Sequence, residues 1–583
     1  MKSILKNKRA INLMLLFSLL AVLIACKKEN PGFNYDYRRD LSNMNKSMVR
    51  LVNLSKNPQL IADGDSLTNF FVAPRRAGYI PPIETTPPGT KYFPKDGRLG
   101  LIWDIPQELF KNNSGINFKV SHVKHITEVV FAEPFDFIAT DGKNQAKDYY
   151  FLRNTTSEVQ NPTNYVEIPR SITAPSKPDH FKIRIINLAR KLSTTNPMED
   201  LAGPITLAFA DGTAVNGKTS NIAVDAWSDY VEVPYGTYQF KVLLADGRQL
   251  PGQGQTQFAK ILPKTSDMEG VDNTQTGLVY GAIQTYQPGG VYSIVVHPDD
   301  FTWTSGKDEI NNVQNCYRTI ADISEPLNRT FTRLQLANAL INQDLTLSIN
   351  GKNSASITAT QSSEYMNLVA GKHFLEVKNK AGEVVYSEEL ELLAGQNYSL
   401  WLHLDEGNKV HGSLAANNLS GSTYIGQNKN GNNAIYDRMK LSYFFHIRYF
   451  NFCKQLPFLT VASSEGQNFL TDRYVVTGAN IPLNQMNYTD NYATIIFNKA
   501  DVKGSPYHFT AFRSEIGRVP GDWLKSISPL SSESLIRNKA LYTKVNRKVP
   551  VHEPGVYSIA LIGDLSKTNE QEKPKFMIVK HTK

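Results

Sequence analysis

The chain has 583 residues, 41% hydrophobic and 20% charged, with 63 Lys+Arg against 54 Asp+Glu and only three Cys. Such a length exceeds what one hydrophobic core organises and predicts about three to five domains, while the ordinary apolar fraction predicts packed cores rather than disorder. The formal charge of +9 falls to about +5 once Lys2, Lys6, Lys8 and Arg9 are set aside, and no run of five basic residues occurs, which excludes a nucleic-acid binder.

Those four basic residues, with no acidic residue among them, precede an apolar run from Ile11 to Ile24 broken only by Asn12 and Ser18. At about 1.5 Å per residue the run is shorter than a hydrocarbon core of about 30 Å, so residues 1–25 read as a cleaved signal peptide. The run stops at Leu23-Ile24-Ala25-Cys26, which resembles the bacterial lipobox. That resemblance implies cleavage before Cys26 and acyl chains on it, and two or more chains at about 0.8 kcal/mol per buried CH₂ bind a membrane stably. No later apolar segment reaches spanning length, so the rest of the chain is expected in one aqueous compartment. Lys27-Lys28-Glu29 partly resembles the surface-export signal of Bacteroidota lipoproteins, and the Asp that retains lipoproteins at the inner membrane is missing. The expected address is the outer membrane, on the cell surface, with its periplasmic face as the alternative. Residues 26–46 are polar and read as a flexible tether.

Further along, one pattern recurs: Val49-Arg50-Leu51-Val52-Asn53-Leu54, then Ile183-Arg184-Ile185-Ile186-Asn187-Leu188, with weaker copies from Arg333 to Asn338 and from Ile447 to Phe452. The starts lie roughly 115 to 150 residues apart, a domain-sized spacing. Each is followed by an alternating strand that ends in Asp211-Gly212 or Asn350-Gly351, residues suited to a tight hairpin. A strand entered through a Gly turn comes next, Pro234 to Val242 or Ala370 to Val377. Closing strands follow in Gly290-Val291-Tyr292, Gln396-Asn397-Tyr398 and Gly555-Val556-Tyr557. Short alternating strands with almost no helical periodicity predict β-sandwiches.

The blocks from Lys182 to Val296 and from Thr332 to Leu404 resemble an Ig-like domain family of unknown function, found in bacterial surface and secreted lipoproteins. Val231-Glu232-Val233-Pro234-Tyr235-Gly236-Thr237-Tyr238 matches its "VPxGxY" strand. The resemblance implies a fold and an address, not a reaction. The expected architecture is all-β: tandem Ig-like β-sandwich domains on a lipidated N-terminal tether. Residues 47–175 form a divergent β-domain with a long Pro-rich loop, 180–300 and 331–405 form sandwiches, and 440–583 form a divergent β-domain. Residues 301–330 and the Asn/Gly-rich 406–439 are expected to be linkers.

Several residues tempt a chemical reading. Gly64-Asp65-Ser66-Leu67 reproduces the opening block of the GDSL-type esterases, yet none of the eleven His has the Asp three positions earlier that would activate Ser66. Leu60-Ile61-Ala62-Asp63-Gly64 instead occupies the hairpin position of the later repeats. His122, His125 and Glu128 have ligand-like spacing, but residues three apart on a strand face opposite ways. Asp299 and Asp300 after His297-Pro298 read as a solvated turn. Cys316 and Cys453 read as buried thiols, with a disulfide between them left open. Trp103, Trp227, Trp303 and Trp523 are the aromatics to follow: clustering on loops would suggest a sugar site, and burial would remove it.

The residues therefore predict a non-enzymatic cell-envelope lipoprotein presenting its domains for adhesion or protein–protein contact. A glycan-binding accessory lipoprotein of a nutrient-uptake system is the alternative. Cys26 is the one residue with an expected chemical role, no metal or cofactor is expected, and the ligand, whether protein or glycan, is not specified.

Overall fold

The computed structural model describes residues 44–583 apart from the segments 70–88, 112–114, 122–132, 253–280, 420–432, 435–445, 472–477, 487–492 and 497–505 and some single or paired positions. Cys26, nearly all of the tether, and His122, His125 and Glu128 lie outside the described residues. The fold is all-β and multi-domain, with four sandwiches built on the same three-strand unit.

In each sandwich an opening strand, which carries the recurring pattern, pairs in parallel with a return strand. These pairs are Lys46–Asn53 with Lys147–Phe151, His180–Asn187 with Val291–Ser305, Phe331–Asn338 with Asn397–Leu404, and His446–Lys454 with Val556–Asp564. The return strand then turns back into an antiparallel outer strand: Tyr165–Pro169, Asp308–Ala321, Val410–Ala416 or Lys575–Lys580. A parallel pair cannot be joined by a hairpin, so the intervening chain crosses to the facing sheet and comes back. That crossing is the strand order seen in the sequence repeats.

In the second and fourth sandwiches Gly-x-Tyr marks the start of the return strand because the tyrosine folds back over the glycine. A Cβ on Gly290 would sit 2.5 Å from the Tyr292 ring, and one on Gly555 would sit 2.9 Å from Tyr557. The Tyr557 hydroxyl donates to the Glu553 carbonyl at 2.7 Å and so ties the turn to the strand.

The opening strands are buried on both faces. Ile183 and Ile185 enter the second sandwich's core, while Ile186 and Leu188 point the other way, onto Val52, Leu54, Tyr150 and Leu152 of the first sandwich. In the same manner Leu334 and Leu336 fill the third core, and Ala337, Ala339 and Trp401 pack on Phe450, Phe452 and Ile562 of the fourth. Burial on both faces removes the clean alternation of a half-exposed strand. The sandwiches are therefore joined face to face, first to second and third to fourth, rather than strung out on linkers.

Three expectations are corrected. Residues 301–330 are not simply a linker: Val291–Ser305 and Asp308–Ala321 pair continuously from Tyr292↔Ala321 to Ser305↔Asp308 as one long hairpin. The polar Asp299, Gln314 and Asn315 are buried at its base, which hid the alternation. Residues 406–439 contain the outer strand Val410–Ala416, so the third sandwich runs past residue 405. Its His, Gly, Ser and Ala side chains are mostly half-exposed and carry little hydrophobic signal. Finally, Arg333 is two residues early for the repeat. Asn338 takes the place of Asn187, which puts Gln335, not Arg333, at the position of Arg184.

Candidate functional site

Ser66 stands at the end of a two-residue strand, Asp65–Ser66, joined to Gln59–Ala62 by Asp63-Gly64. Both turn residues have positive φ, 49° and 92°, the signature of a type I′ hairpin. The Ser66 hydroxyl donates to the Thr68 carbonyl at 2.7 Å, not to an imidazole. Beside it lies a cleft of about 540 Å³ bordered by Asp63, Asp65, Lys91, Tyr92 and Glu108. Lys91 bridges Glu108 at 2.7 Å, and the Tyr92 hydroxyl donates to the same carboxylate at 2.9 Å.

The recurring Asn and Arg have separate tasks because three residues along a strand turn them to opposite faces. Asn187 points inward: its Nδ2 donates to the carbonyls of Gly203 and Ile222 at 2.9 and 3.0 Å, and its Oδ1 accepts the Ala189 N–H. Asn338 does the same with Gln343, Thr358 and Leu340, and Asn451 with Leu456, Ile481 and Cys453. Each amide satisfies three backbone groups where the strand leaves the sheet.

The Arg points outward into the seam between paired sandwiches. Arg50 Nη1 donates to the Ala321 carbonyl at 2.8 Å, Arg184 Nη1 to Pro169 at 2.7 Å, and Arg448 Nη2 to Ala416 at 2.9 Å. In every case the acceptor is the last residue of the partner sandwich's outer strand, so Arg50 and Arg184 grip each other's domain reciprocally. The register neighbour on the return strand is Asp148, Ser293, Ser399 or Ser558. The residue just past the outer strand, Arg170, Asp322, Asn417 or His581, bonds to that neighbour at 2.7–2.8 Å.

The first seam is charged. Arg50 forks onto both oxygens of Asp148 at 2.9 and 2.8 Å and reaches Asp322 at 3.2 Å; Arg170 joins Asp148 at 2.8 Å. Burial pushes the Asp322 carboxyl up and Asp148 adds to this, against the pull of Arg184 and Arg50.

Farther along the same seam, His297, Asp299 and Cys316 bring their ligand atoms within 4.8 Å of one another. The donor types suit a transition metal. The lone pairs of His297 and Asp299, however, are already engaged by cations: Arg318 Nε donates to His297 Nε2 at 2.9 Å, Arg318 Nη2 to Asp299 at 2.7 Å, and Lys56 pairs with Asp299, while the Cys316 thiol donates to the His297 carbonyl at 3.5 Å. Because Arg318 must donate, the imidazole proton sits on Nδ1, 3.0 Å from the Pro298 carbonyl. Burial, helped by Arg318, pulls the His297 pKa down to about 3, and burial raises the Cys316 thiol well above its usual value. The cluster does not fit a metal; it is an interdomain ion lock, completed by Lys56 and Arg153 on Asp300 at 3.0 and 2.7 Å. Asp299 is thus buried rather than a solvated turn residue, and Lys56 and Arg153 carry no motif that would mark this role in sequence.

A second lock joins the two pairs. Glu553 of the fourth sandwich receives Lys241 of the second at 2.8 Å, Lys580 at 3.3 Å and the Tyr542 hydroxyl at 2.7 Å. Burial alone would raise Glu553, but Lys580 and Lys241 hold it at about 2; burial lowers Lys580 to about 8 against the pull of Glu553.

The remaining sequence candidates scatter. Cys316 and Cys453 are free and buried. Trp103 is buried against Phe93 in the first core, and Trp227 and Trp523 are exposed on different sandwiches. The Trp303 side chain lies outside the described residues. No family model matches the chain, and no curated protein matches it.

Proposed function

We propose that this chain is a non-enzymatic cell-envelope lipoprotein, anchored through acyl chains on Cys26 at the outer membrane, whose four Ig-like sandwiches present a surface for adhesion or for a partner protein. The observation that carries this reading is the reciprocal grip of Arg50 and Arg184 across a seam buried on both sides. Together with the Lys241–Glu553 lock, it ties down domains that could otherwise swing independently. Domains tied down in this way offer a partner a pre-organised surface and lower the ordering cost of association. The seam engages Arg, Asp, His and Ser side chains in structural bonds, and Ser66 has an acceptor other than a general base. The cell surface fits Lys27-Lys28-Glu29; the periplasmic face is the alternative.

One observation favours the glycan-binding reading as a second possibility. The cleft beside Ser66 carries charges of both signs, Asp63, Asp65 and Glu108 against Lys91 and Lys111, and offers donors and acceptors to sugar hydroxyls.

Fractionation tests the anchor. Cys26→Ser should leave unprocessed precursor with no incorporated fatty acid, and wild-type chain should label with palmitate. A Cys26→Ser chain processed and membrane-bound like wild type defeats the lipoprotein reading. Binding of the full chain to a glycan array, abolished by Tyr92→Ala, would favour the second reading over the first.

A further inference from the structure

The two seams end differently. Counting from the register serines, His403 of the third sandwich stands where His297 stands in the second, and Asp405 and Glu406 follow it as Asp299 and Asp300 follow His297. Lys454 likewise follows Asn451 by the three residues that separate Lys56 from Asn53. In the first pair the acidic step clasps Lys56, arriving from the neighbouring sandwich, and the return strand continues to Ser305. In the second pair the return strand stops at Leu404, and Lys454 turns aside to the Asn408 side chain.

The space left is a groove of two adjoining cavities, about 340 and 300 Å³, which share Leu404 and Lys454. Each lies within or at the edge of the ~300–1,000 Å³ typical of ligand sites. Leu340, Ile341, Leu404 and Phe452 supply an apolar floor. Asp405, Glu406, Asp564 and Glu572 outnumber Lys454 and Lys567 around the walls. Among the described residues Glu406 makes no ion pair and Asn484 Oδ1, a buried acceptor in the wall of the second cavity, has no hydrogen-bond partner.

We propose that this groove binds a basic, extended segment of a partner protein. A Lys or Arg side chain lays its aliphatic stem on Leu404 and Ile341 and brings its charged head to Asp405 and Glu406, as Lys56 does at Asp299 and Asp300 within the chain itself. The segment's backbone N–H is the donor that Asn484 Oδ1 lacks. Long basic side chains suit such a site because their stems are apolar and their heads are not, and the excess of carboxylates favours a cation. This inference rests on the protein-binding reading above and names its site and the chemistry of its partner.

Fluorescence anisotropy of the full chain in detergent with a labelled peptide, acetyl-Gly-Leu-Lys-Leu-Arg-Gly-amide, tests it. Binding should weaken with added salt, fall by about two- to fivefold in Glu406→Lys, and be lost when Lys and Arg in the peptide are replaced by Glu. Ile516→Ser, on an exposed hairpin of the fourth sandwich, should bind like wild type. Glu406 is exposed and makes no hydrogen bond among the described residues, so unchanged thermal unfolding of Glu406→Lys would show that the fold is intact. Equal binding of the acidic peptide, no effect of Glu406→Lys, or displacement of the basic peptide by a neutral oligosaccharide such as maltohexaose overturns the groove assignment. If envelope proteins still bind Glu406→Lys as they bind wild type, the groove assignment falls and the general protein-binding reading stands. If none bind even wild type, that reading falls by itself.

Discussion

Both seams have an apolar contact, but the first and second sandwiches add a network of buried ion pairs. The third and fourth instead add aromatic packing, with Arg448 donating to the Ala416 carbonyl and the Asn417 side chain, although the backbone geometry of the two seams is the same. Asp148 of the first seam corresponds to Ser558 in the second, Asp322 to Asn417, Arg184 to Gln335, and Val295 to Trp401. Trp401 packs tilted against Phe450 and Phe452 at 4.7 and 5.7 Å between ring centres, and His403 stacks on Phe452 at 4.3 Å. The strand pairing sets where the contact is made, and side chains of different chemistry then stabilise the same docking. A buried ion network has high stakes, since removing one partner strands the others, whereas an aromatic seam loses stability in proportion to the volume removed.

This contrast is open to direct test. Asp148→Ala should cost about 3–5 kcal/mol, because Arg50 and Arg170 lose a buried counter-charge. Ser399→Ala, at the same register position of its own return strand in the third sandwich, should cost about 1 kcal/mol, the worth of an ordinary hydrogen bond. Hydrogen exchange of the return strands would locate each loss at its own seam, and equal losses would show that charge is not what distinguishes them. The converse pair is Trp401→Ala, expected to cost about 3–5 kcal/mol through its cavity, against a smaller loss for Val295→Ala. A larger effect at Val295 would place the apolar weight in the wrong seam.

Acid should distinguish the seams more gently. Burial lowers His297 to about 3 and His403 to about 4. Both are neutral in the fold, while an unfolded imidazole takes up a proton near pH 6.5. The folded state therefore binds fewer protons, and stability falls as pH drops below about 6.5, by roughly 1.4 kcal/mol per pH unit for each group. His297 contributes to this loss down to about pH 3 and His403 down to about pH 4, and the buried His581 of the second seam, also held well below its ordinary value by burial, adds to the loss there. Glu553, held at about 2, adds its own loss between its ordinary value of 4.5 and 2, loosening the junction of the two pairs. Urea midpoints measured from pH 7 to 4 for wild type and His403→Gln would check the slope: the variant should be flatter, and an identical slope would show that His403 does not report on its seam.

Much of the local structure was legible. Asp63-Gly64 and Asn350-Gly351 turn with positive φ at both residues, while at Asp211-Gly212 only the glycine has positive φ, and the hairpin reading of the GDSL block holds in the geometry of Ser66. The opening and closing strands were visible as repeats. Arg333 was misplaced by two residues because Arg and Asn face opposite ways and only strand pairing shows which polar residue fills which position. The arm from Asp299 to Val313 and the outer strand Val410–Ala416 were missed for the opposite reason. Buried polar residues, Asp299, Gln314 and Asn315, stand at the base of the one, and small residues are half-exposed in the other.

The chain by itself determined an all-β repeat with defined turns, because turn chemistry and alternation are local properties of neighbouring residues. What only the tertiary structure decided is the pairing of sandwiches, the grip of Arg50 and Arg184, the lock around Asp299 and the groove at Lys454. Each depends on groups more than a hundred residues apart or on which of two buried faces a side chain meets. Local pattern carries no record of either.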